Sequence, residues 1–306
     1  MAYRTRPLPH PRTPRRHRLR ARGAAVPGLI AATASALLAA GTLGLAQPAA
    51  AAAPAGSTAS GSTAAAFPAS VGAKGKARVT AAVFDLDGPG RGPAVFGSDV
   101  PYDTASIIKV DILASVLLKA QDSRHALTAQ ERAQAEAMIE HSDNAAANAL
   151  WRRIGLAPGL KAANKRLGLT STQGGPGAKW GLTRTTASDQ IRLLRAVFDT
   201  GPAPKKGSAP ALSDTSRAYI RTLMSRVATE QSWGVSAAAD PGAALKNGWL
   251  QRDTTGLWDV NSVGRITTGG HHCLVAVLSD GSTSMKDGVA LVERAARAAV
   301  SATTTR

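Results

Sequence analysis

The hydrophobic period of this chain changes three times along its length, and that order limits the possible folds more than any other feature. Residues 77–86 and 93–96 read as two short strands, separated by the turn-forming stretch 87–92. Apolar residues then recur at helical spacing in six segments: 105–120, 129–141, 144–153, 159–167, 186–198 and 213–227. The period returns to that of strands in 244–250, 260–267 and 272–278, and an amphipathic helix closes the pattern over 285–300. Strands interrupted by a block of helices predict an α/β domain, with an antiparallel sheet and an inserted all-helical lobe over about residues 121–230. Local signals mark some of the ends. Asp103 or Thr104 is placed to cap the helix at 105–120, and Thr128 with Glu131 spells a capping box before 129–141.

The first 52 residues stand outside this pattern. They contain eight arginines and no acidic residue, and continue into an apolar stretch at 28–46 and an alanine run at 49–53. A positive segment, an apolar segment and small residues at a cut site predict a secretory signal peptide over 1–52. A retained membrane anchor is the competing reading, because the apolar stretch only just reaches spanning length. Pro27, the interspersed glycines and the alanine-rich exit favour cleavage. Arg15 and Arg16 leave the Sec and twin-arginine routes both open. Residues 53–66 read as a flexible linker, and 67–303 as the secreted domain, with no membrane attachment after cleavage.

The net charge is +17, and beyond the first 52 residues there are 29 basic and 20 acidic side chains. A basic body suits anionic surroundings such as a cell envelope. No basic run there exceeds a pair such as Lys205 and Lys206, and aromatics make up only 4% of the chain, so no base-stacking platform is visible. Nucleic acid is therefore not expected as a partner. The single cysteine, Cys273, precludes an internal disulfide and reads as a small buried hydrophobe. His271 and His272 are neighbours in a predicted strand, so they point to opposite faces and are poorly placed to share a metal. No metal or other cofactor is expected, and the domain is expected to be a monomer.

Three short patterns could carry chemistry. In the first, Ser106 and Lys109 lie three residues apart at a helix start, hence on one face and one turn apart. A serine hydroxyl needs a neighbouring base, and a lysine serves as one when burial disfavours its charged form. Ile107, Ile108, Val110, Ile112 and Leu113 supply apolar surroundings, and of eleven lysines only Lys109 has a serine three residues before it. The second pattern is Ser142-Asp143-Asn144, residue types that also favour helix caps. The third is Lys246-Asn247-Gly248-Trp249 in a predicted strand. There an ammonium can anchor a carboxylate, a glycine allows close backbone approach, and the Trp249 N–H can aim at an oxyanion. Lys179, Lys205 and Lys286 also head a K-x-G, so only its position after the helical block selects Lys246.

Together the three patterns resemble the serine β-lactamase and penicillin-binding superfamily, and most closely the class A β-lactamases, over about residues 77–302. The chain also looks like short exported actinobacterial serine hydrolases. The resemblance implies a five-stranded antiparallel sheet flanked by N- and C-terminal helices, with the helical lobe inserted. It makes Ser106 the nucleophile, Lys109 its base and Ser142 a proton relay. Asn144, Lys246, Asn247, Gly248 and Trp249 become the substrate-binding residues, with the backbone N–H groups of Ser106 and Trp249 forming the oxyanion hole. The implied substrate is a β-lactam or a cell-wall peptide.

The chain departs from that pattern in three places. Asn247 stands where threonine or serine is usual, keeping a donor for a carboxylate but not a compact hydroxyl. The link from Ser106 to Ser142 is short. The stretch 170–186 (TSTQGGPGAKWGLTRTT) contains no acidic residue, where class A enzymes carry the glutamate that activates the deacylating water. Asp189 is expected in the first turn of the following helix, and Glu140 is expected to face solvent. Loss of such a base costs about 10²–10⁴-fold. Slow β-lactam hydrolysis, a D-Ala-D-Ala carboxypeptidase and a non-catalytic binder of penicillin or wall peptides all fit these residues.

Overall fold

The computed structural model describes residues 61–88, 92–201 and 210–305. The expected signal peptide and most of the expected linker lie outside them. The last linker positions, 61–66, are helical, opening α1 (Gly61–Ser70). Alanine favours helix, and Phe67 and Val71 bury on the sheet, so the segment has both propensity and an anchor.

From α1 the chain runs through β1 (Arg78–Asp85), β2 (Ala94–Phe96) and β3 (Tyr102–Asp103) to a 3₁₀ turn at Ala105–Ile107. The lobe follows: α2 (Ile108–Asp122), α3 (Ala129–Glu140), α4 (Asn144–Ile154), α5 (Leu156–Leu167), β4 (Arg184–Thr185), α6 (Ala187–Phe198) and α7 (Asp214–Met224). It returns through β5 (Ala244–Gln251), β6 (Trp258–Thr268) and β7 (His271–Ser282) and ends in α8 (Met285–Thr304). Five strands pair antiparallel in the order β2-β1-β7-β6-β5, and β3 pairs with β4 in a small second sheet.

Strand alternation divides the interior into two cores. Ala82, Phe84, Ala244, Val263, Leu274, Ala276 and Leu278 face the lobe, whereas Val79, Ala81, Val83, Leu245, Val260, Val275 and Val277 face α1 and α8. Every residue of α2 from Ile108 to Leu118 is buried, the mark of a helix enclosed on all sides. That helix carries Lys109 of the first chemical motif into the interior, with Ser106 in the turn just ahead of it.

Several element ends follow from their sequence. The Thr128/Glu131 capping box is formed. Helix α4 stops at Gly155 with φ 93°, a conformation that favours glycine. Three ends differ from expectation. Neither Asp103 nor Thr104 caps the next helix through its side chain: Asp103 pairs with Arg252 and Arg184, and Thr104 takes a helical backbone, so the helix opens as a 3₁₀ turn. Helix α5 begins at Leu156, before Pro158 rather than after it, because first-turn N–H groups lack intrahelical partners in any case. The strand expected over 272–278 runs on as far as Ser282, since Asp280 pairs with Arg78 across the β1–β7 ladder. No helix of the described residues is long and apolar enough to cross a membrane.

Candidate active site

The site lies where the start of α2, the turn between α3 and α4, and the free edge of β5 meet. Ser106 occupies the 3₁₀ turn ahead of α2, next to Ala105 at φ 45°, a left-handed backbone unusual for a residue with a Cβ. Two contacts hold this turn. The Asn261 side-chain amide on β6 donates to the Asp103 and Thr104 carbonyls at 2.9 and 3.1 Å. Gly248 on β5 packs directly against it, for a Cβ there would come within 2.6 Å of the Ser106 nitrogen and 2.7 Å of the Ile107 nitrogen. Glycine at 248 is thus a condition of the approach.

One turn along, Lys109 is fully buried. Its Nζ donates to the Ser142 carbonyl at 2.7 Å and to Asn144 Oδ1 at 2.8 Å, and lies 3.0 Å from Ser142 Oγ. Burial pushes its pKa down to about 7 against the pull of Asp143. Ser142 sits at φ 56° between α3 and α4, and Asp143 caps α4 through a 2.6 Å bond from the Ala146 N–H. The S-D-N tripeptide is therefore a helix start whose left-handed first residue directs both carbonyl and hydroxyl at Lys109.

Lys246 completes the cluster. Its Nζ lies 3.1 Å from Ser142 Oγ and donates to the Asn247 carbonyl at 3.0 Å and Gln231 Oε1 at 3.5 Å. Its pKa is also pushed down to about 7, by burial first and by Lys109 second. One hydroxyl thus bridges two buried amines, whose protonation is coupled because two adjacent ammonium groups repel.

The structure thus brings Lys109, Ser142, Asn144 and Lys246 together by hydrogen bonds. It sets Ser106 one turn before Lys109, with its backbone against Gly248. The Ser106 hydroxyl, half-exposed, makes no hydrogen bond among the described residues. Asn247 is a correction. Its side chain lies on the opposite face of β5, donating to the Gln231 and Trp233 carbonyls at 2.8 and 2.9 Å, so its donor is not available to a carboxylate on the Lys246 side. The Trp249 ring also lies on that far face, 5.9 Å from the ring of Trp233.

The acid-free loop 170–186 closes another side. Trp180, in a 3₁₀ turn (Trp180–Leu182), lays its ring over Lys109 with the centroid 4.8 Å from Nζ, while its indole N–H donates to Asn148 at 2.7 Å. Trp151 on α4 holds the same loop through the Gly177 carbonyl at 2.8 Å. Asp189 is in the first turn of α6, as expected, and its buried carboxylate accepts from the Ser171 N–H, the Thr172 hydroxyl and Arg192 at 2.7, 2.8 and 2.5 Å. Glu140 is half-buried at the end of α3 rather than open to solvent. Cys273 is buried in β7 with its thiol pushed up to about 12, which keeps it protonated, while His271 and His272 pair with Asp85 and Asp87.

Three contributors have no motif. Gln231 ties the cluster together, because its side-chain amide donates to the His141 carbonyl at 3.1 Å while its two oxygens meet Lys246 and Asn247. The other two are Asn261 and Trp180. Only Trp180 carried a signal, as the one large aromatic in a loop lacking an acid.

Residues 131–303 match the model of a family described as the beta-lactamase enzyme family. A mycobacterial protein designated a candidate lipoprotein, LppW, found in Mycobacterium bovis and Mycobacterium tuberculosis, is 27% identical over 150 residues. That is 48% of this chain and 46% of the relative, so the chain spans about half the length of the curated relatives it matches. Among solved structures, a class A beta-lactamase from Bacteroides cellulosilyticus is similar at 16% identity and TM-score 0.64, over 78% of this chain and 96% of that one. PBP-A is similar at 21% identity and TM-score 0.63, over 78% and 95%. At such identity the likeness is one of fold, and the five-stranded antiparallel sheet with flanking helices and inserted lobe is the class A beta-lactamase fold.

Proposed function

Because the chain belongs to the beta-lactamase enzyme family, we propose that it is an exported serine hydrolase that forms an acyl-enzyme on Ser106 and releases it slowly. The observation that carries this reading is the Ser142 hydroxyl, 3.0 Å from Lys109 and 3.1 Å from Lys246, both buried and both held near neutrality. A proton can travel along such a line at little cost.

In this mechanism the neutral Lys109 takes the Ser106 proton while Oγ bonds to the carbonyl carbon of a β-lactam or a D-Ala-D-Ala-type wall peptide. The oxyanion is met by the backbone N–H groups of Ser106 and Trp249. When the C–N bond breaks, the leaving nitrogen takes its proton from Ser142, which is resupplied from the lysine pair. Lys246 attracts the substrate carboxylate. The Asn144 carbonyl oxygen is held by Lys109, which leaves its NH₂ for the substrate amide. Residues 1–52 act as the signal peptide, and the secreted domain works as a monomer without metal or cofactor.

Breaking the acyl-enzyme requires a base for water, and no carboxylate stands in 170–186. That favours slow turnover of β-lactams, or a D-Ala-D-Ala carboxypeptidase, over fast hydrolysis. The test is to incubate the secreted domain with a fluorescent penicillin and follow its intact mass. Expected is a covalent adduct that persists and is absent from Ser106→Ala. Transient adducts with rapid product release would make it an efficient lactamase instead. No adduct, and no D-Ala released from a pentapeptide, would leave only a non-catalytic binder.

A further inference from the structure

The indole of Trp180 is not explained by making an acyl-enzyme, yet it is the loop's contact with the general base. Lys109 Nζ is crowded: oxygens of Ser142 and Asn144 lie at 2.7–3.0 Å, and the Trp180 ring lies over it with its centroid at 4.8 Å. A water seated between an amine and an aromatic face would need about 6 Å. No water therefore fits between the two groups.

The ring is held in place from behind. The indole N–H reaches Asn148, one turn beyond Asn144 on α4, so the helix that presents the S-D-N pattern also positions Trp180. The flanking residues bond the nucleophile turn, with the Thr104 N–H donating to the Thr183 carbonyl at 2.8 Å and the Thr104 hydroxyl reaching the Gly181 carbonyl at 3.5 Å. Around the turn and α4, this loop cannot swing away without breaking contacts on both sides.

Resting on the acyl-enzyme reading above, we infer that Trp180 sets the lifetime of the acyl-enzyme by screening Lys109 from water. Acylation needs no water, since Ser106 gives its proton to Lys109 from the turn just ahead of the same helix. Deacylation does. There the water oxygen must bond to the acyl carbon as its proton goes to a base, and the ester C–O bond breaks as Ser106 Oγ regains a proton. With no carboxylate in 170–186, the buried lysine pair supplies the remaining bases, and the ring covers Lys109, the member next to Ser106 in the chain.

The test measures lifetimes of the penicillin adduct by intact mass for the wild-type domain and for Trp180→Phe, Trp180→Ala and Trp180→Glu. Phe keeps a ring but loses the bond to Asn148, and should shorten the lifetime about 3-fold. Ala uncovers Lys109 and should shorten it about 10-fold, and Glu, which adds a base, on the order of 100-fold. A gain in turnover is not something a damaged fold produces, and matched melting curves for the Phe variant guard against gross disruption. If wild type is labelled but Trp180→Phe and Trp180→Ala keep its lifetime, the inference is overturned while the acyl-enzyme reading stands, and a shortening by Trp180→Glu alone then reports only the added carboxylate. If wild type is never labelled, the acyl-enzyme reading fails and takes the inference with it.

Discussion

Two walls of the same site are built from opposite materials. The wall formed by the head of α2, the turn before α4 and β5 is polar and coupled, with Lys109, Ser142 and Lys246 in one line of hydrogen bonds. The wall formed by residues 170–186 offers Lys109 aromatic carbon and bonds its polar groups elsewhere, to Asn148 and to the buried Asp189. The first can move a proton between groups of matched affinity. The second contains no carboxylate to accept one from water. In the proposed mechanism the first wall serves to make an acyl-enzyme, and the second withholds what is needed to break it.

The sharpest way to break this comparison is Lys109→Met, which removes the base but keeps the volume. Adduct formation should slow by about 10²–10⁴-fold, measured as the second-order labelling rate. The same line predicts a pH dependence with a definite sign. Lys109 is a base only when neutral, and burial lowers its pKa to about 7. Labelling should therefore rise about tenfold per pH unit below neutrality and level off above it, the midpoint belonging to the lysine pair. A flat profile between about pH 5 and 8 would mean that neither lysine is the base.

Next in size is Gly248→Ala. The new methyl would stand 2.6 Å from the Ser106 nitrogen and 2.7 Å from the Thr104 carbonyl, and both are backbone atoms that cannot swing aside. β5 and the nucleophile turn must separate, and displacements near 1 Å cost about 10² in rate. The expected outcome is a labelling rate lower by about that factor, with the wild-type pH midpoint retained. On the second wall, Asp189→Ala removes the acceptor for Ser171, Thr172 and Arg192. The loop should loosen at a cost of about 1–3 kcal/mol, read as a lower denaturation midpoint.

How much of this was legible in the sequence follows from the range of each interaction. The order of strands and helices is written in local periodicity, and the Thr128/Glu131 box is a contact between residues three apart. The short motifs are legible because each lies within four residues. What lay out of reach are joints between distant segments: Asn261 meets Asp103 across 158 positions, and Gln231 reaches His141 across 90. The β7 extension through Asp280 depends likewise on Arg78, 202 positions away. The direction of Asn247 was within reach. The alternation that sends His271 and His272 to opposite faces also sends Lys246 and Asn247 apart.

That alternation gives the smallest and most discriminating prediction. Asn247→Thr restores the residue usual in the resembling enzymes, but on the face of β5 that looks toward Gln231 and Trp233. Threonine there offers at most one donor where Asn247 makes two bonds, so stability should fall by about 1 kcal/mol. No donor is added beside Lys246, so the concentration dependence of labelling by a carboxylate-bearing penicillin should stay within about twofold of wild type, a shift of about 0.4 kcal/mol. A tenfold gain in apparent affinity would mean that residue 247 reaches the substrate. The polar wall would then include the face of β5 that the ladder assigns to α8.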